Sequence, residues 1–272
     1  MSKNLLLRAV FGFIYVALIW FATLYDPYVF IGIFVALCGL GIWELSRLLK
    51  FENKLFLLAT VAVAGYILWV YGSRFYYGTA QYTLHLEHVL PVALFLVALV
   101  LIFKRPMELA YDSSKIIFIN VYLVLPFALT FALLRKFEID NFQVLNPVFF
   151  TFILIWVSDT FAYIIGRIFG TKKLSAISEK KTVEGLIGGM FFTIVAGVIL
   201  HFNFPGVRGN WMIIAALVAF AAPIGDLAES KLKRVFGVKD SGNIIPGHGG
   251  ILDRLDSYLV TIVVVYFYFL FA

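Results

Sequence analysis

Long apolar segments dominate the chain and predict membrane-spanning helices. A helix needs about 20 predominantly apolar residues to cross the hydrocarbon core of a bilayer. The third and fourth segments are somewhat short, and the eighth runs into Asp226, so eight spans with a re-entrant element remain an alternative to nine. The pattern predicts an all-α, polytopic integral membrane protein. The apolar stretches fall at 8–25, 27–46, 55–71, 88–103, 116–134, 147–166, 185–204, 210–227 and 256–272.

Composition supports the membrane assignment. Hydrophobic residues make up 62% of the 272 and charged residues only 14%, which lies outside the balance of a soluble domain. The first apolar segment lacks a small-residue cleavage site and is expected to be a retained span, not a signal peptide. The single cysteine, Cys38, lies within the second span and excludes an intramolecular disulfide.

The distribution of lysines and arginines predicts the orientation of the spans. If the N-terminus is inside, four of the 22 cations, Arg74, Arg135, Lys136 and Arg208, fall on the outer side and the remaining 18 on the inner side. Cytoplasmic loops retain positive charge, so the bias favours nine crossings with the N-terminus in and the C-terminus out. The net charge of +6 is attributed to this bias and to anionic headgroups, and no nucleic-acid partner is expected.

Polar residues concentrate in two segments, of which the first runs from Asp226 to Asp256. Asp226, Glu229, Ser230 and Lys233 are spaced i, i+3, i+4 and i+7, which predicts one face of a helix. The stretch 237–250 that follows contains five glycines, whose backbone amides can approach phosphate oxygens closely. Such a loop can also be an ordinary turn. The spacing of its histidine and acids matches no zinc motif.

The second polar segment, 158–189, begins with Asp159 inside the sixth apolar span. An ionisable group there is expected to be functional or paired. After Arg167 come four lysines, which suit a triphosphate or a lipid phosphate, although a juxtamembrane set of lysines can also anchor a protein to lipid headgroups. These are Lys172, Lys173, Lys180 and Lys181. Another acid, Glu44 near the inner end of the second span, is expected to cap or pair locally, with contact to the active site as the alternative.

Both segments carry motifs of a known family. The first resembles the signature of the phosphatidate cytidylyltransferases, also called CDP-diacylglycerol synthases. The second resembles the Asp-x-x-Ala-Tyr, Gly-Arg and Ser-Pro-Lys-Lys-Thr-x-Glu-Gly motifs of the same family, with Glu179 in place of the proline. The first set comprises Ser230, Lys233, Arg234, Lys239, Asp240, Pro246, His248, Gly249, Gly250, Asp253, Arg254 and Asp256, and the second Asp159, Ala162, Tyr163, Gly166, Arg167, Ser178, Lys180, Lys181, Thr182, Glu184 and Gly185.

The resemblance implies an enzyme that transfers the cytidylyl group of CTP to phosphatidate, giving CDP-diacylglycerol and pyrophosphate. It also implies a homodimer, placed in the cell inner (plasma) membrane with both polar loops in the cytoplasm, where CTP is available. An alternative keeps the reaction and uses an isoprenoid ether lipid phosphate as acceptor. A transporter is disfavoured because the polar residues lie in two loops on one side and not at the midplane of broken helices.

Joining two anionic substrates requires neutralisation of charge, for which a Mg²⁺ cofactor with carboxylate ligands is expected. Asp226 and Asp253 are the best ligand pair, because each lies where a span meets the polar loop, and Asp256 is a further candidate. Four helices in 146–272 are expected to form the catalytic region, after three in 1–87 and two in 88–145. The candidate catalytic residues are Asp226, Ser230, Lys233, His248, Asp253 and Arg254, and the candidate substrate-binding residues are Arg167, Lys173, Lys180, Lys181, Lys239, Gly249 and Gly250.

Overall fold

The computed structural model describes residues 3–51, 53–77, 86–104, 111–135, 146–244 and 249–272. Within these ranges the chain is almost entirely helical, with one short β-hairpin. The helices are α1 (Lys3–Leu24), α2 (Pro27–Leu48), α3 (Lys54–Tyr77), α4 (Leu86–Lys104), α5 (Asp112–Ile119), α6 (Leu125–Arg135), α7 (Pro147–Phe169), α8 (Val183–Asn203), α9 (Trp211–Val235) and α10 (Leu252–Phe271). A π-helical turn, Asn120–Val124, joins α5 to α6, and the strands are β1 (Lys173–Ser175) and β2 (Ser178–Thr182).

Within the ranges that the structure describes, seven helical segments are long and apolar enough to cross a membrane. The shorter apolar stretches Val10–Leu24 and Val89–Lys104 belong to α1 and α4. The expectation of an all-helical membrane protein is thereby confirmed, whereas nine crossings and their orientation stay predictions. The seven segments are Pro27–Leu48, Lys54–Tyr71, Asp112–Leu134, Pro147–Phe169, Val183–Asn203, Trp211–Val235 and Leu252–Phe271.

Several helices begin at residues that cap their first turn. The Asp26 carboxylate accepts hydrogen bonds from the amides of Tyr28, at 2.8 Å, and Val29, at 3.2 Å. Pro27 then occupies the first helical position of α2, where its missing N–H costs no hydrogen bond. Asn146 caps α7 in the same way. These caps fix where the apolar segments enter their helices.

Helix α10 lies in the centre of the bundle, and aromatic packing holds it there. The ring of Tyr258 stacks on Phe152 of α7, with the centroids 4.5 Å apart. The same ring makes edge contacts with Phe34 of α2 and Phe127 of α6. Its hydroxyl lies 2.5 Å from Thr130 Oγ1. Because buried aromatic pairs of this kind stabilise a core beyond the area they bury, α10 is a firm support for the polar residues at its N-terminal end.

The two polar segments are more regular than their sequences suggest. Helix α9 continues from the apolar stretch to Val235, and α10 begins at Leu252, so that the acids at 253 and 256 lie on helix and not in a loop. In the second segment, β1 and β2 pair antiparallel, with Lys173 opposite Thr182 and Ser175 opposite Ser178. Apolar periodicity could not predict this hairpin, since its strands are short and polar. The division into 1–87, 88–145 and 146–272 stays a prediction, although α7 to α10 pack on one another.

Candidate active site

The polar residues of α9 share one face of the helix, as their spacing predicts. Ser230 Oγ donates a hydrogen bond to Asp226 Oδ1 at 3.4 Å, and Lys233 Nζ lies 2.7 Å from Glu229 Oε2. The four residues therefore form two i, i+4 pairs. Glu229 is buried, and its Oε1 has no hydrogen-bond partner among the described residues. A buried carboxylate oxygen without a donor is costly, which makes this face a candidate for binding a further polar or cationic group.

Asp253 is held by donors from α9 and from the loop that joins α9 to α10. Its Oδ1 pairs with Lys233 Nζ of α9. Its Oδ2 accepts hydrogen bonds from Ser241 N at 3.0 Å, Ser241 Oγ at 2.9 Å and Gly250 N at 2.7 Å. The carboxylate thus joins α9, the α9–α10 loop (residues 236–251) and α10. Since both oxygens are engaged, a metal bound directly to Asp253 would compete with these hydrogen-bond donors for the carboxylate oxygens.

Glu44 of α2 lies against the same loop, and only 1% of it is exposed. Its Oε1 accepts a hydrogen bond from Ile251 N at 2.9 Å, and its Oε2 accepts from Leu252 N at 3.0 Å and Ser241 Oγ at 3.3 Å. A local cap or pair is wrong, and the alternative of contact with the site fits these bonds, because the partners of Glu44 lie 197 to 208 residues away. Its signal in the sequence was an acid inside an apolar span, which by itself names no partner.

Three glycines surround these two carboxylates. A Cβ on Gly249 would lie 2.5 Å from Asp253 Oδ2, and the φ of Gly249 is +87°. A Cβ on Gly250 would lie 2.4 Å from Glu44 Oε2, and one on Gly242 would lie 2.5 Å from Glu44 Oε1. Real Cβ atoms do not approach oxygen so closely, so the backbone can enclose the carboxylates only where side chains are absent. This packing accounts for the glycines, and their contact with phosphate stays a prediction.

The β-hairpin brings a lysine from the second polar segment to α9. Lys181 Nζ forms an ion pair with Asp226, and each side chain is 29% exposed. Glu184, in the first turn of α8, accepts hydrogen bonds from Thr171 Oγ1 at 2.5 Å and from the amides of Thr171 and Lys172. These bonds fasten the start of the hairpin to α8. The two polar segments, separate in sequence, therefore meet at one site.

Acids from α7, α9 and α10 lie within electrostatic range of one another near this ion pair. The charge of Asp256 interacts with those of Asp226, Glu229 and Asp159. A cation among them would reduce their repulsion, and carboxylate oxygens are the ligands that Mg²⁺ prefers. In the described part of the chain no three acidic, histidine or cysteine side chains converge as a ready metal site. The donor set therefore fits Mg²⁺ in its chemistry, while the ligand set of Asp226, Asp253 and Asp256 stays a prediction.

Two clefts meet at Asp159, which lines both. The basic cleft, of about 520 Å³, lies between α7, the hairpin, α8 and α9. The inner cleft, of about 220 Å³, lies between α1, α7 and α10. Polar residues lining the basic cleft include Arg167, Lys180, Lys181 and Asp226, and those lining the inner cleft include Tyr15, Asp253, Arg254 and Asp256.

The inner cleft contains a residue that no sequence motif indicates. Tyr15 of α1 donates a hydrogen bond from its hydroxyl to the carbonyl oxygen of Arg254 at 3.0 Å. A tyrosine in an apolar span is common at membrane interfaces, and no pattern distinguishes this one. The contact ties α1 to the first turn of α10, and it places α1 at the candidate site.

Other predicted site residues lie farther out or outside the described ranges. Lys173 of β1 and Lys239 of the α9–α10 loop are exposed, and neither lines the two clefts. His248 lies outside the described residues. Arg234, one of the signature positions, donates to the carbonyl oxygen of Val238 at 2.9 Å and so shapes the start of the loop.

Comparison with known proteins gives consistent results. Residues 6–272 match the model of the cytidylyltransferase family. The chain is 32% identical over 264 residues to a phosphatidate cytidylyltransferase of Haemophilus influenzae, covering 90% of this chain and 92% of that protein. Shorter matches of 118 residues, at 42% and 44% identity, link it to phosphatidate cytidylyltransferases of Staphylococcus haemolyticus and Staphylococcus saprophyticus. Each of these covers 42% of this chain and 45% of the relative.

Proposed function

Because the chain belongs to the cytidylyltransferase family, we propose that it transfers the cytidylyl group of CTP to phosphatidate, giving CDP-diacylglycerol and pyrophosphate for phospholipid synthesis. The name of the Haemophilus influenzae relative, which matches nearly the whole chain, supports this substrate pair. The observation that carries the proposal is the basic cleft, where the hairpin lysines meet the carboxylates of α7 and α9 among apolar helices. In this proposal the water-soluble triphosphate enters the basic cleft from the aqueous side, and the lipid phosphate enters it from the bilayer.

In this reaction a phosphate oxygen of phosphatidate attacks the α-phosphorus of CTP. A new P–O bond forms there, and the bond between the α-phosphorus and the oxygen bridging to the β-phosphate breaks, so that pyrophosphate leaves with the electron pair. Both reactants are anions, and catalysis is chiefly a matter of positioning and charge neutralisation. The cations of the basic cleft, Arg167, Lys180 and Lys181, bind the phosphates in this proposal.

The carboxylates of the site hold the cation that the chemistry requires. When bound, Mg²⁺ supplies positive charge to the phosphate oxygens. Asp226 and Asp256 would bind this cation, Asp226 in exchange for its pairing with Lys181 and Ser230. Asp253 would contribute directly or by fixing Lys233 and the α9–α10 loop. The unsatisfied Oε1 of Glu229 supports a cation or ordered water on this face.

The remaining signature residues position these groups. Ser230 orients Asp226 through their hydrogen bond. Lys233, placed between Glu229 and Asp253, fixes both acids, which is a role for it beside direct contact with substrate. Arg254 lines the inner cleft and can meet a phosphate there, and His248 is proposed to act from the same loop on the strength of the signature.

An assay with purified protein tests the proposed reaction. In detergent, with labelled CTP and Mg²⁺, we expect a lipid-soluble labelled product when phosphatidate is present and much less with an isoprenoid ether lipid phosphate. Preference for the ether lipid would keep the reaction class and change the acceptor. Absence of product with both lipids, from protein that remains monodisperse, would contradict the proposal.

We further propose that the chain crosses the inner membrane nine times, N-terminus in and C-terminus out, with the segments 167–184 and 228–255 in the cytoplasm. The distribution of cations supports this orientation, as does the availability of CTP. On the family resemblance alone, we propose that the active unit is a homodimer.

Thiol labelling tests the orientation. Ala176 in the turn of the hairpin and Asn243 in the α9–α10 loop are exposed, as is Pro205 between α8 and α9. In intact cells an impermeant maleimide is expected to label Pro205→Cys and not Ala176→Cys or Asn243→Cys, which should react only after lysis. The native Cys38 is buried and gives a low background. The reverse pattern would overturn the orientation.

A further inference from the structure

We propose that Glu44 is a positioning residue of the active site: from α2 it fixes the α9–α10 loop and the start of α10, and through them the carboxylate of Asp253. This inference concerns a residue outside both signature segments. It rests on the proposed function only for its effect on the reaction, since the contacts themselves are independent of the substrate.

Glu44 caps α10 from another helix. The N-cap residue of α10 is Ile251, whose side chain has no oxygen and therefore cannot cap the helix. The Glu44 carboxylate accepts hydrogen bonds from the amides of Ile251 and Leu252 instead. First-turn amides lack helical partners, and the positive end of the helix dipole favours a carboxylate. Both features stabilise a charge that would otherwise be expensive to bury.

The hydroxyl of Ser241 connects Glu44 to Asp253. Ser241 Oγ lies 3.3 Å from Glu44 Oε2 and 2.9 Å from Asp253 Oδ2. A hydroxyl has one proton, so it is shared between the two carboxylates. Displacement of Glu44 would therefore change the hydrogen bond from Ser241 to Asp253. It would also shift the backbone at residues 250–252, from which the Gly250 amide donates to Asp253. Glu44 acts on the site through these groups and does not need to touch substrate.

The local backbone is built around this carboxylate. A Cβ on Gly242 would lie 2.5 Å from one oxygen of Glu44, and a Cβ on Gly250 would lie 2.4 Å from the other. The backbone at these two positions therefore packs directly against the Glu44 carboxylate. Gly242 has no positive φ, which means that alanine there is unfavourable because of Glu44 and not because of backbone strain. This dependence makes a suppressor test possible.

The experiment compares the single variants Glu44→Gln, Glu44→Ala and Gly242→Ala with the double variant that combines Glu44→Ala and Gly242→Ala. We expect Glu44→Gln to lower kcat roughly 10- to 100-fold, the range for residues that orient catalytic groups, because the amide group places N–H groups opposite donor amides. Gly242→Ala should lower kcat in the parent protein. It should lower kcat little further in the Glu44→Ala variant, where the obstructing carboxylate is absent. Ser46→Ala, a buried residue of α2 bonded within its own helix, is the matched control and should keep parental kcat.

Hydrogen–deuterium exchange separates this inference from the proposed reaction. In Glu44→Gln, peptides covering residues 241–252 should exchange faster while those of α7 and α8 remain as in the parent. If the parent protein makes no CDP-lipid, the proposed function fails and this measurement still decides the role of Glu44. Parental exchange at 241–252, additive effects of the two alanine substitutions, or faster exchange throughout the molecule would each overturn the proposal.

Discussion

Asp226→Asn is expected to lose at least about two orders of magnitude in turnover, equivalent to about 2.7 kcal/mol of transition-state stabilisation. Asp226 receives the Lys181 ammonium from the hairpin and the Ser230 hydroxyl from its own helix, and it lies beside Asp159 and Asp256. Asparagine preserves the shape of the side chain and removes the charge. A proposed ligand of the cation is thereby lost, and Lys181 loses its ionic partner.

The measurement is kcat in detergent over a range of Mg²⁺ concentrations, with protein that elutes and unfolds like the parent. Asp26→Asn is the matched control: it removes a carboxylate of the same size at the start of α2, where asparagine caps a helix as well as aspartate does, and it should retain full turnover. Near-parental turnover of Asp226→Asn would contradict its role and direct attention to Asp159.

Asp253→Asn is expected to have an effect of similar size for a partly different reason. Asp253 accepts three hydrogen bonds at Oδ2 and pairs with Lys233 at Oδ1. An amide nitrogen in either position faces a donor and leaves a polar group unsatisfied. We therefore expect at least about a hundredfold loss of turnover together with faster amide exchange in the α9–α10 loop, which Asp226→Asn should not produce.

A Mg²⁺ titration of the two variants distinguishes direct binding from support of the loop. If Asp253 binds the cation, the concentration required for half-maximal rate rises in Asp253→Asn as it does in Asp226→Asn. If it organises the loop alone, kcat falls and the Mg²⁺ requirement stays parental. Turnover close to that of the parent would contradict both roles, and Asp256 would be the next carboxylate to substitute.

Much of the site could be predicted because its residues are adjacent in the chain or share a helical period. The spacing of Asp226, Glu229, Ser230 and Lys233 was sufficient to place them on one face, since a helix repeats every 3.6 residues. The glycines of the loop were recognised as places of close approach. The sequence did not show that the Glu44 carboxylate occupies the space beside Gly250.

Contacts across long separations could not be predicted in the same way. Glu44 and Tyr15 lie in apolar spans whose pattern says only that they are helical, and their partners are fixed by how the helices pack. Likewise, the pairing of Lys181 with Asp226 depends on a hairpin whose short polar strands carry no strong periodic signal. Local pattern identified the helices, whereas tertiary packing determined which of their polar groups meet.

The long-range cap on α10 also has a consequence for biosynthesis. The amides that satisfy Glu44 lie 207 and 208 residues after it, which at about 5–20 residues per second is roughly 10–40 s of translation. During that time the acid is in a newly inserted segment without its final donors, and it must remain hydrated or protonated. The Glu44 cap is therefore completed only after α10 has been synthesised and docks against α2.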